Sequence, residues 1–532
     1  MWYSREQPTK KRRIYPKFET KFTCPLQKDV SDAENATGKP ARRTEGMNRL
    51  YGGNRPTEQR EYAGYLDGIK WVKKERADAR RQFSVRNQGK LPGHPESEET
   101  MKTDILIVGS GCAGLYCALQ MDREKEILMI TKSDAQSSDS FLAQGGMCML
   151  KDDADYESYF NDTMRAGHYE NDRGSVDIMI RSSQELVRDL LSYGVEFARE
   201  PDGSLAFTRE GAHSDKRILF HEDITGQAIT EKLLERAMEL ENLTLKEYTT
   251  MVDLICEGNC CRGAVVQNAE GTLEEVYADY VVLATGGIGG LYRHSTNFRH
   301  LTGDGLAAAL RHGVQLKNID YIQIHPTTLY SEEKEERSFL ISESVRGEGA
   351  KLYGKNGKRF VDELLPRDLL TEAIHRQMEK DGTDFVWEDL RGIPHDELQN
   401  HFPNIVAHCR EMGYDVFNEC IPVVPAQHYF MGGIAVDHQS RTSMEHLYAV
   451  GETACNGVHG RNRLASNSLL ESMVFAKRAA REISETYEPL SGNLPAAAVR
   501  NAEEARILEE EGKGLVRGEI RKSRAARAKL AG

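Results

Sequence analysis

The stretch DILIVGSGCAG, Asp104 to Gly114, decides the fold. A short apolar run, Ile105 to Val108, ends in glycines spaced G-x-G-x-x-G at Gly109, Gly111 and Gly114. The run is brief, β-branched and cut off by Gly109, the pattern of a parallel strand buried on both faces. LYCALQMDRE, after Gly114, reads as the helix that follows. In such a strand-turn-helix the first glycine permits a tight turn. The second lets backbone approach a pyrophosphate, and the third lets helix pack on strand. The helix N-terminus then presents free N–H groups and a partial positive charge to the phosphates. The same spacing also suits an ordinary glycine-rich turn of an α/β domain, so the decision rests on what surrounds it.

Further strands follow. EILMITK ends at Lys132, where a nicotinamide-dinucleotide site would carry an acid for the ribose hydroxyl; Thr131-Lys132 stand there instead, which argues against a typical NAD site. YADYVVLATGG (Tyr277 to Gly287) and EHLYAVGE (Glu445 to Glu452) are apolar runs reaching glycine, so their tips allow backbone to approach a ligand closely. Long insertions between these strands imply a second domain over the carboxyl edge of the sheet.

The 532 residues suffice for several domains, and 39% hydrophobic with 29% charged residues fits a globular protein in water. No stretch approaches the roughly 20 apolar residues of a membrane span, and the N-terminus lacks the apolar core of a secretory signal. The expected compartment is the cytoplasm. The ten cysteines are scattered. Cys256, Cys260 and Cys261 hint at metal, but no second Cys or His pair lies at zinc spacing, so reduced thiols and no metal are expected.

Charge divides the chain. Residues 1–100 hold 22 Lys+Arg against 14 Asp+Glu, whereas the remainder holds 48 against 69. The first segment, with KKRR at Lys10 to Arg13 and one helical candidate at Tyr62 to Phe83, reads as a basic, flexible extension. Acids mixed through it argue against nucleic-acid binding and against a transit peptide. Met101 stands just before the glycine-motif strand, where a compact domain is expected to begin, with residues 1–100 dispensable.

FLAQGG (Phe141 to Gly146), ATGG (Ala284 to Gly287), TGDG (Thr302 to Gly305), IHPT (Ile324 to Thr327), RGEGA (Arg346 to Ala350), PRD (Pro366 to Asp368), HYFMGG (His428 to Gly433) and RLASNSLLE (Arg463 to Glu471) follow the first motif in order. The series resembles the succinate dehydrogenase/fumarate reductase flavoprotein family, and within it the aspartate-oxidising branch most closely. The resemblance implies an α/β fold: a Rossmann-like FAD-binding domain over 101–318 and 430–488, interrupted by an α+β capping domain over 319–429. A truncated helical segment, 489–532, would follow, with one charged helix after Pro495 broken up by Gly512, Gly514 and Gly518.

Carried over by motif, the FAD contacts fall on Gly109, Ser110, Gly111, Cys112, Ala113 and Gly114, and on Lys132. They continue through Asp139, Ser140, Phe141, Leu142, Ala143, Gln144, Gly145 and Gly146 to Asp304, Glu452, Ser468 and Leu469. Asp139 stands where succinate dehydrogenases carry the histidine that bonds the flavin, so FAD is expected to be held non-covalently. Glu210, in FTREGAHS, matches the glutamate that faces a substrate ammonium; a lone Glu here would otherwise read as a surface residue paired with Arg209 or Lys216. An ammonium–carboxylate pair at 4 Å is worth about 4 kcal/mol at an effective dielectric of 20, before desolvation. His325, His428 and Arg463, with Gln323 and Ser342, match the groups that hold two carboxylates, a task suited to the planar fork of arginine. Arg367 matches the family's proton donor or acceptor, and Glu343 a glutamate near the proton path.

The resemblance therefore implies a flavoenzyme that oxidises L-aspartate to iminoaspartate, with O2 (giving H2O2) or fumarate as acceptor, on the quinolinate route to NAD, with quinolinate synthase as the downstream partner. A soluble fumarate reductase or succinate oxidase is the alternative if Glu210 does not face the pocket. A non-catalytic flavin- or RNA-binding protein using the basic arm is a third possibility, opposed by the complete set of pocket residues.

Overall fold

β1 (Met101–Val108) runs into α1 (Cys112–Gln120) through the glycine turn. Gly109 takes φ +117°, and a Cβ there would stand 2.1 Å from Ala284 O; on Gly114 it would stand 2.0 Å from Gly109 O. Both positions exclude a side chain, the first against a neighbouring strand and the second because α1 packs onto its own turn. The helix begins at Cys112, inside the glycine motif, earlier than the apolar run after Gly114 announces. This computed structural model describes residues 101–332, 337–492 and 494–531. The basic extension, with KKRR and the helical candidate at 62–83, lies outside the described residues.

β2 (Ile127–Ile130) is followed by α2 (Tyr156–Ala166), α3 (Arg173–Ser192) and α4 (Thr225–Ala237). Then come β3 (Leu243–Lys246), β4 (Thr250–Glu257), β5 (Cys260–Gln267), β6 (Leu273–Leu283) and α5 (Asp304–Arg311). The main sheet has the order β3-β2-β1-β6-β5-β4. β1 is parallel to both neighbours, pairing Ile105 with Ile127 and with Tyr280. Ile105, Leu106 and Ile107 are fully buried, as their uninterrupted apolar run requires. β4, β5 and β6 form an antiparallel extension of the same sheet.

The chain then enters a second layer: β7 (Ile322–Leu329), α6 (Glu343–Gly347), β8 (Lys351–Tyr353), α7 (Arg367–Asp381), β9 (Val386–Asp389) and β10 (Ile421–Phe430). These strands form a wholly antiparallel sheet, β7-β10-β9-β8, with its own apolar core around Leu352, Leu370, Ile374, Val386 and Val423. An antiparallel sheet with helices against it is the α+β pattern, distinct from the parallel layer before it.

The chain returns to the first sheet through β11 (Leu447–Ala449), parallel to β6, and α8 (Ser468–Glu485). α8, α1 and α3 cover one face of that sheet, and α5 covers the other.

The C-terminal segment departs from expectation. α9 (Ala502–Ala531) is one continuous helix through Gly512, Gly514 and Gly518. A helical glycine costs about 1 kcal/mol relative to alanine. Packing opposes that cost: Ala505, Val516 and Ile520 are buried, and a Cβ on Gly512 would stand 3.0 Å from Ala307 Cβ of α5. Near its end Arg527 and Ser523 bond Asp320 at 3.0 and 2.8 Å. Gly512 is thus a contact point between helices, not a break.

Candidate functional site

The carboxyl ends of β1, β2, β6 and β11 converge on one cavity of about 1680 Å³, its solvent mouth included. Its floor is backbone: Val108 to Ala113, Ala284 to Gly286, and Val450 to Glu452. The N-terminus of α1 opens onto it with Gly111, Cys112 and Ala113, a setting that favours an anion. Ser110 Oγ donates to Thr131 Oγ1 at 3.0 Å and fixes the turn against β2. Ser140 Oγ accepts from Cys112 N at 3.2 Å. Lys132 Nζ meets Asp304 Oδ2 at 2.8 Å, which ties the end of β2 to the first residue of α5.

At the far end the cavity passes beneath the second layer. Arg367, at the start of α7, donates from Nε to Glu343 Oε2 at 2.6 Å and from Nη1 to Gln323 Oε1 at 2.9 Å. Arg346 Nη2 stands 4.0 Å from Glu343 on its other side. Glu343 is buried, yet the Arg367 and Arg346 guanidiniums hold its carboxyl below the usual range against that burial. Glu210 has no such cation in contact. Its Oε2 accepts from Ser466 Oγ at 2.5 Å and its Oε1 from Ser344 Oγ at 3.2 Å. Burial, then the charge on Glu343, push Glu210 upward. One buried carboxylate is thus satisfied by arginine, while the other lacks a counter-ion.

Around these acids stand the donors. His325 and His428 face each other edge to face at 5.2 Å. Burial and the nearby arginines push both far below the usual histidine range, so the two rings are neutral rather than cationic. His325 Nδ1 lies 2.9 Å from Thr327 O and 3.2 Å from Thr327 N, and its Nε2 has no partner among the described residues. His428 Nδ1 lies 2.8 Å from Thr296 Oγ1. Arg463 lies over the Tyr429 ring, donates to Ser468 Oγ at 3.0 Å, and burial lowers it to about 10, leaving it cationic at neutral pH.

The cavity contains polar atoms that the protein does not satisfy. Asp139 Oδ2, Gln144 Oε1, His325 Nε2 and Arg463 Nε are buried without a hydrogen-bond partner among the described residues. Such groups are costly unless a ligand meets them. Burial raises Asp139 to about 7 although Phe298 N donates to it at 3.0 Å. Glu452, beside it, is raised by its own burial and by Asp139. The donor set fits FAD: a glycine turn and helix N-terminus for a pyrophosphate, and unpartnered polar atoms deeper in for a polar ring system. No nucleophilic histidine stands at Asp139.

Most residues singled out in the sequence line this cavity, from Gly109 through Lys132 and Asp139 to Gly146, then Glu210, Asp304, His325, Ser342, Glu343, Arg367, His428, Glu452, Arg463, Ser468 and Leu469. Three do not. Gly114 packs against Gly109, Phe141 lies outside the lining, and Gln323 reaches the cavity only through Arg367 and Arg463, whose carbonyl it meets at 2.8 Å. Ser342 faces the cavity, but its hydroxyl oxygen also caps α6, accepting from Ser344 N at 3.3 Å. Glu210 is buried rather than paired on the surface with Arg209 or Lys216. Asp368 pairs with His168 at 3.0 Å and leaves Arg367 to Glu343. Sequence reasoning missed Ser466, Ser344 and Arg346 as partners of the acids; each lay inside or beside a quoted motif, but only the fold turns it toward Glu210 or Glu343.

The FAD binding domain family matches residues 104–469. The L-aspartate oxidase of Clostridium perfringens is 47% identical over 405 residues, covering 76% of this chain and 92% of that protein. That of Clostridium acetobutylicum is 45% identical over 393 residues, covering 74% and 90%. Among solved structures, the FrdA chain of E. coli quinol fumarate reductase superposes with a TM-score of 0.70 at 32% identity, covering 77% of this chain and 74% of that one. With a parallel sheet cradling a glycine turn, an antiparallel layer above it and relatives this similar over most of their length, the chain belongs to the L-aspartate oxidase family of FAD-binding flavoproteins.

Proposed function

We propose that this chain oxidises L-aspartate to iminoaspartate with non-covalently held FAD, using O2 (giving H2O2) or fumarate as acceptor, in the first step of quinolinate-dependent NAD biosynthesis. The observation that carries the proposal is Glu210: a buried carboxylate without a counter-ion, facing a cavity that also holds Arg463, Arg367 and two neutral histidines. Arg463, with Arg367 and the polar edges of the two histidines, suits the two substrate carboxylates. Glu210 then meets the α-ammonium, which supplies the contacting cation it lacks. Bound FAD supplies the two-electron acceptor for a hydride from Cα.

The protein's own part is placement and proton handling. A fixed orientation of Cα contributes on the order of 7–11 kcal/mol to lowering the barrier. Arg367 is held by Glu343 and Gln323, so its guanidinium has one orientation toward the cavity. A guanidinium alone is a poor base, since its pKa exceeds about 12. As the hydride leaves Cα the substrate nitrogen must lose a proton, and the Arg367–Glu343–Arg346 chain provides a buried carboxylate that can pass a proton along. We also infer a cytoplasmic location and a quinolinate synthase as the next enzyme, because an imine hydrolyses in water unless it is used.

The test is anaerobic bleaching of the flavin band at about 450 nm, with L-aspartate and succinate added to separate samples. Bleaching by L-aspartate alone, requiring a severalfold or greater increase in L-aspartate in Glu210→Gln, is the expected result. Bleaching by succinate would instead make the protein a dicarboxylate oxidoreductase, and bleaching by neither would remove it from this chemistry.

A further inference from the structure

A second reactive cluster lies outside the cavity, on the antiparallel extension of the main sheet. β4 and β5 form a hairpin whose register places Cys256 directly opposite Cys261. A register shift falls between Ile255 and Cys256, just before the pair; opposed residues of an antiparallel ladder have Cα atoms about 4.5–5.5 Å apart, inside the span a disulfide bridges. Behind Cys256 stands His312, the residue that ends α5. His312 Nε2 lies 3.2 Å from Asp253 Oδ1, on the same strand as Cys256, and Met444 Sδ lies 3.6 Å from Cys256 Sγ.

The electrostatics agree with this geometry. Asp253, then Cys256, raise His312 to about 10, so the ring is an imidazolium at neutral pH. The neighbouring Cys261 thiol, then His312, bring Cys256 down to about 6 against its burial and Asp253. Cys261 is pushed the other way, first by its bond to Cys256 and then by burial. Cys256 is thus held toward the half-buried thiolate, while Cys261 stays a protonated thiol whose Sγ donates to Gly263 O at 3.6 Å. A low-pKa thiolate beside a second thiol is the arrangement of a peroxide-sensing pair.

We propose that Cys256 and Cys261 are a peroxide-responsive dithiol, in which Cys256 is oxidised by hydrogen peroxide and Cys261 resolves it into a cross-strand disulfide. The Cys256 thiolate attacks one peroxide oxygen, the O–O bond breaks and hydroxide leaves, taking a proton to become water. Sulfur is oxidised by two electrons to the sulfenic acid and the peroxide is reduced. The Cys261 sulfur then attacks the Cys256 sulfur; the S–S bond forms, the S–O bond breaks, and water leaves with the Cys261 proton. The pair itself rests on the geometry above. That the peroxide comes from the enzyme's own turnover rests on the proposed oxidase function. Both supports of the pair also reach the cofactor cavity: β4 begins at its wall with Thr250 and Met251, and α5 with Asp304.

The test is residue-resolved mass spectrometry of the full-length holoenzyme. Alkylation of Cys256 by iodoacetamide should show a pH midpoint near 6, moved upward by at least about one unit in His312→Gln. Added hydrogen peroxide should give a peptide pair cross-linked between Cys256 and Cys261, and Cys261→Ser should instead trap a dimedone adduct on Cys256. A wild-type midpoint at the ordinary value of about 8.5 would overturn the proposal. So would oxidation that cross-links Cys260 instead, or that spares Cys256. A cross-link formed with added peroxide but not during L-aspartate turnover in air would support the dithiol and overturn oxygen as the acceptor.

Discussion

Arg367 Nε and Glu343 Oε2 stand 2.6 Å apart, with each side chain only 9% exposed. A charge-assisted contact this short in a buried setting fixes the guanidinium plane, and Nη1 is fixed again by Gln323. Lysine at this position keeps a charge but lacks the planar fork that holds Glu343 on Nε and Gln323 on Nη1 in fixed geometry. Arg367→Lys should therefore lower kcat with L-aspartate by roughly 100-fold or more, the scale of a lost positioned acid or base, with flavin content unchanged. Steady-state kinetics decide it. A kcat within a few-fold of wild type would mean that Arg367 only binds.

Glu210 sits where burial and Glu343 hold its carboxyl above the usual range. Protonating it removes the partner of a substrate ammonium, so kcat/KM for L-aspartate should fall as pH drops through this raised pKa. Glu210→Gln should abolish that acid limb. It should also raise KM for L-aspartate by roughly 5- to 150-fold, from a loss of about 1–3 kcal/mol, while leaving fumarate binding far less affected. An unchanged acid limb in the variant would assign the titration to another group.

Glu388, on β9, is fully buried and neither of its carboxyl oxygens has a hydrogen-bond partner among the described residues. Burial raises it from 4.5 to about 7, with Arg346 opposing. Its folded pKa thus exceeds the unfolded one, so its contribution to stability is fully present below pH 4.5 and lost as pH rises through about 7. Glu388→Gln should leave thermal stability near wild type at pH 5 and raise it at pH 8, by up to about 3 kcal/mol. Melting curves at the two pH values check the sign, and an equal shift at both would show that ionisation is not responsible.

The sequence legibly carries what is local. The strand-turn-helix at Gly109 is readable because the steric demand on Gly109 and Gly114 arises within one turn. The nucleophile-free position at Asp139 is readable from motif order. What could not be read depends on distant chain segments. Phe141 and Gln144 share one motif, yet only Gln144 lines the cavity, because the loop's path decides which side chain points inward. The pairing of Glu210 with Ser466 joins the parallel layer's insertion to the start of α8. Cys256 and His312 looked unrelated until β4 and the end of α5 were placed side by side.

The same limit produced the error at the C-terminus, and it yields a contrast between glycines of one helix. Gly514 and Gly518 meet nothing within 4 Å, whereas a Cβ on Gly512 would stand 3.0 Å from Ala307 Cβ. Alanine at either open position removes backbone freedom from the unfolded chain without a clash, so Gly514→Ala and Gly518→Ala should each stabilise by about 0.5–1 kcal/mol. Gly512→Val should do the opposite, destabilising by about 1–3 kcal/mol through overpacking against α5. Its effect should reach the cofactor as well, because α5 begins with Asp304, whose carboxylate holds Lys132 at the cavity wall. Thermal melts and FAD retention on gel filtration measure the two consequences separately. Stabilisation by Gly512→Val would show that α9 does not press on α5, and that its glycines are interruptions after all.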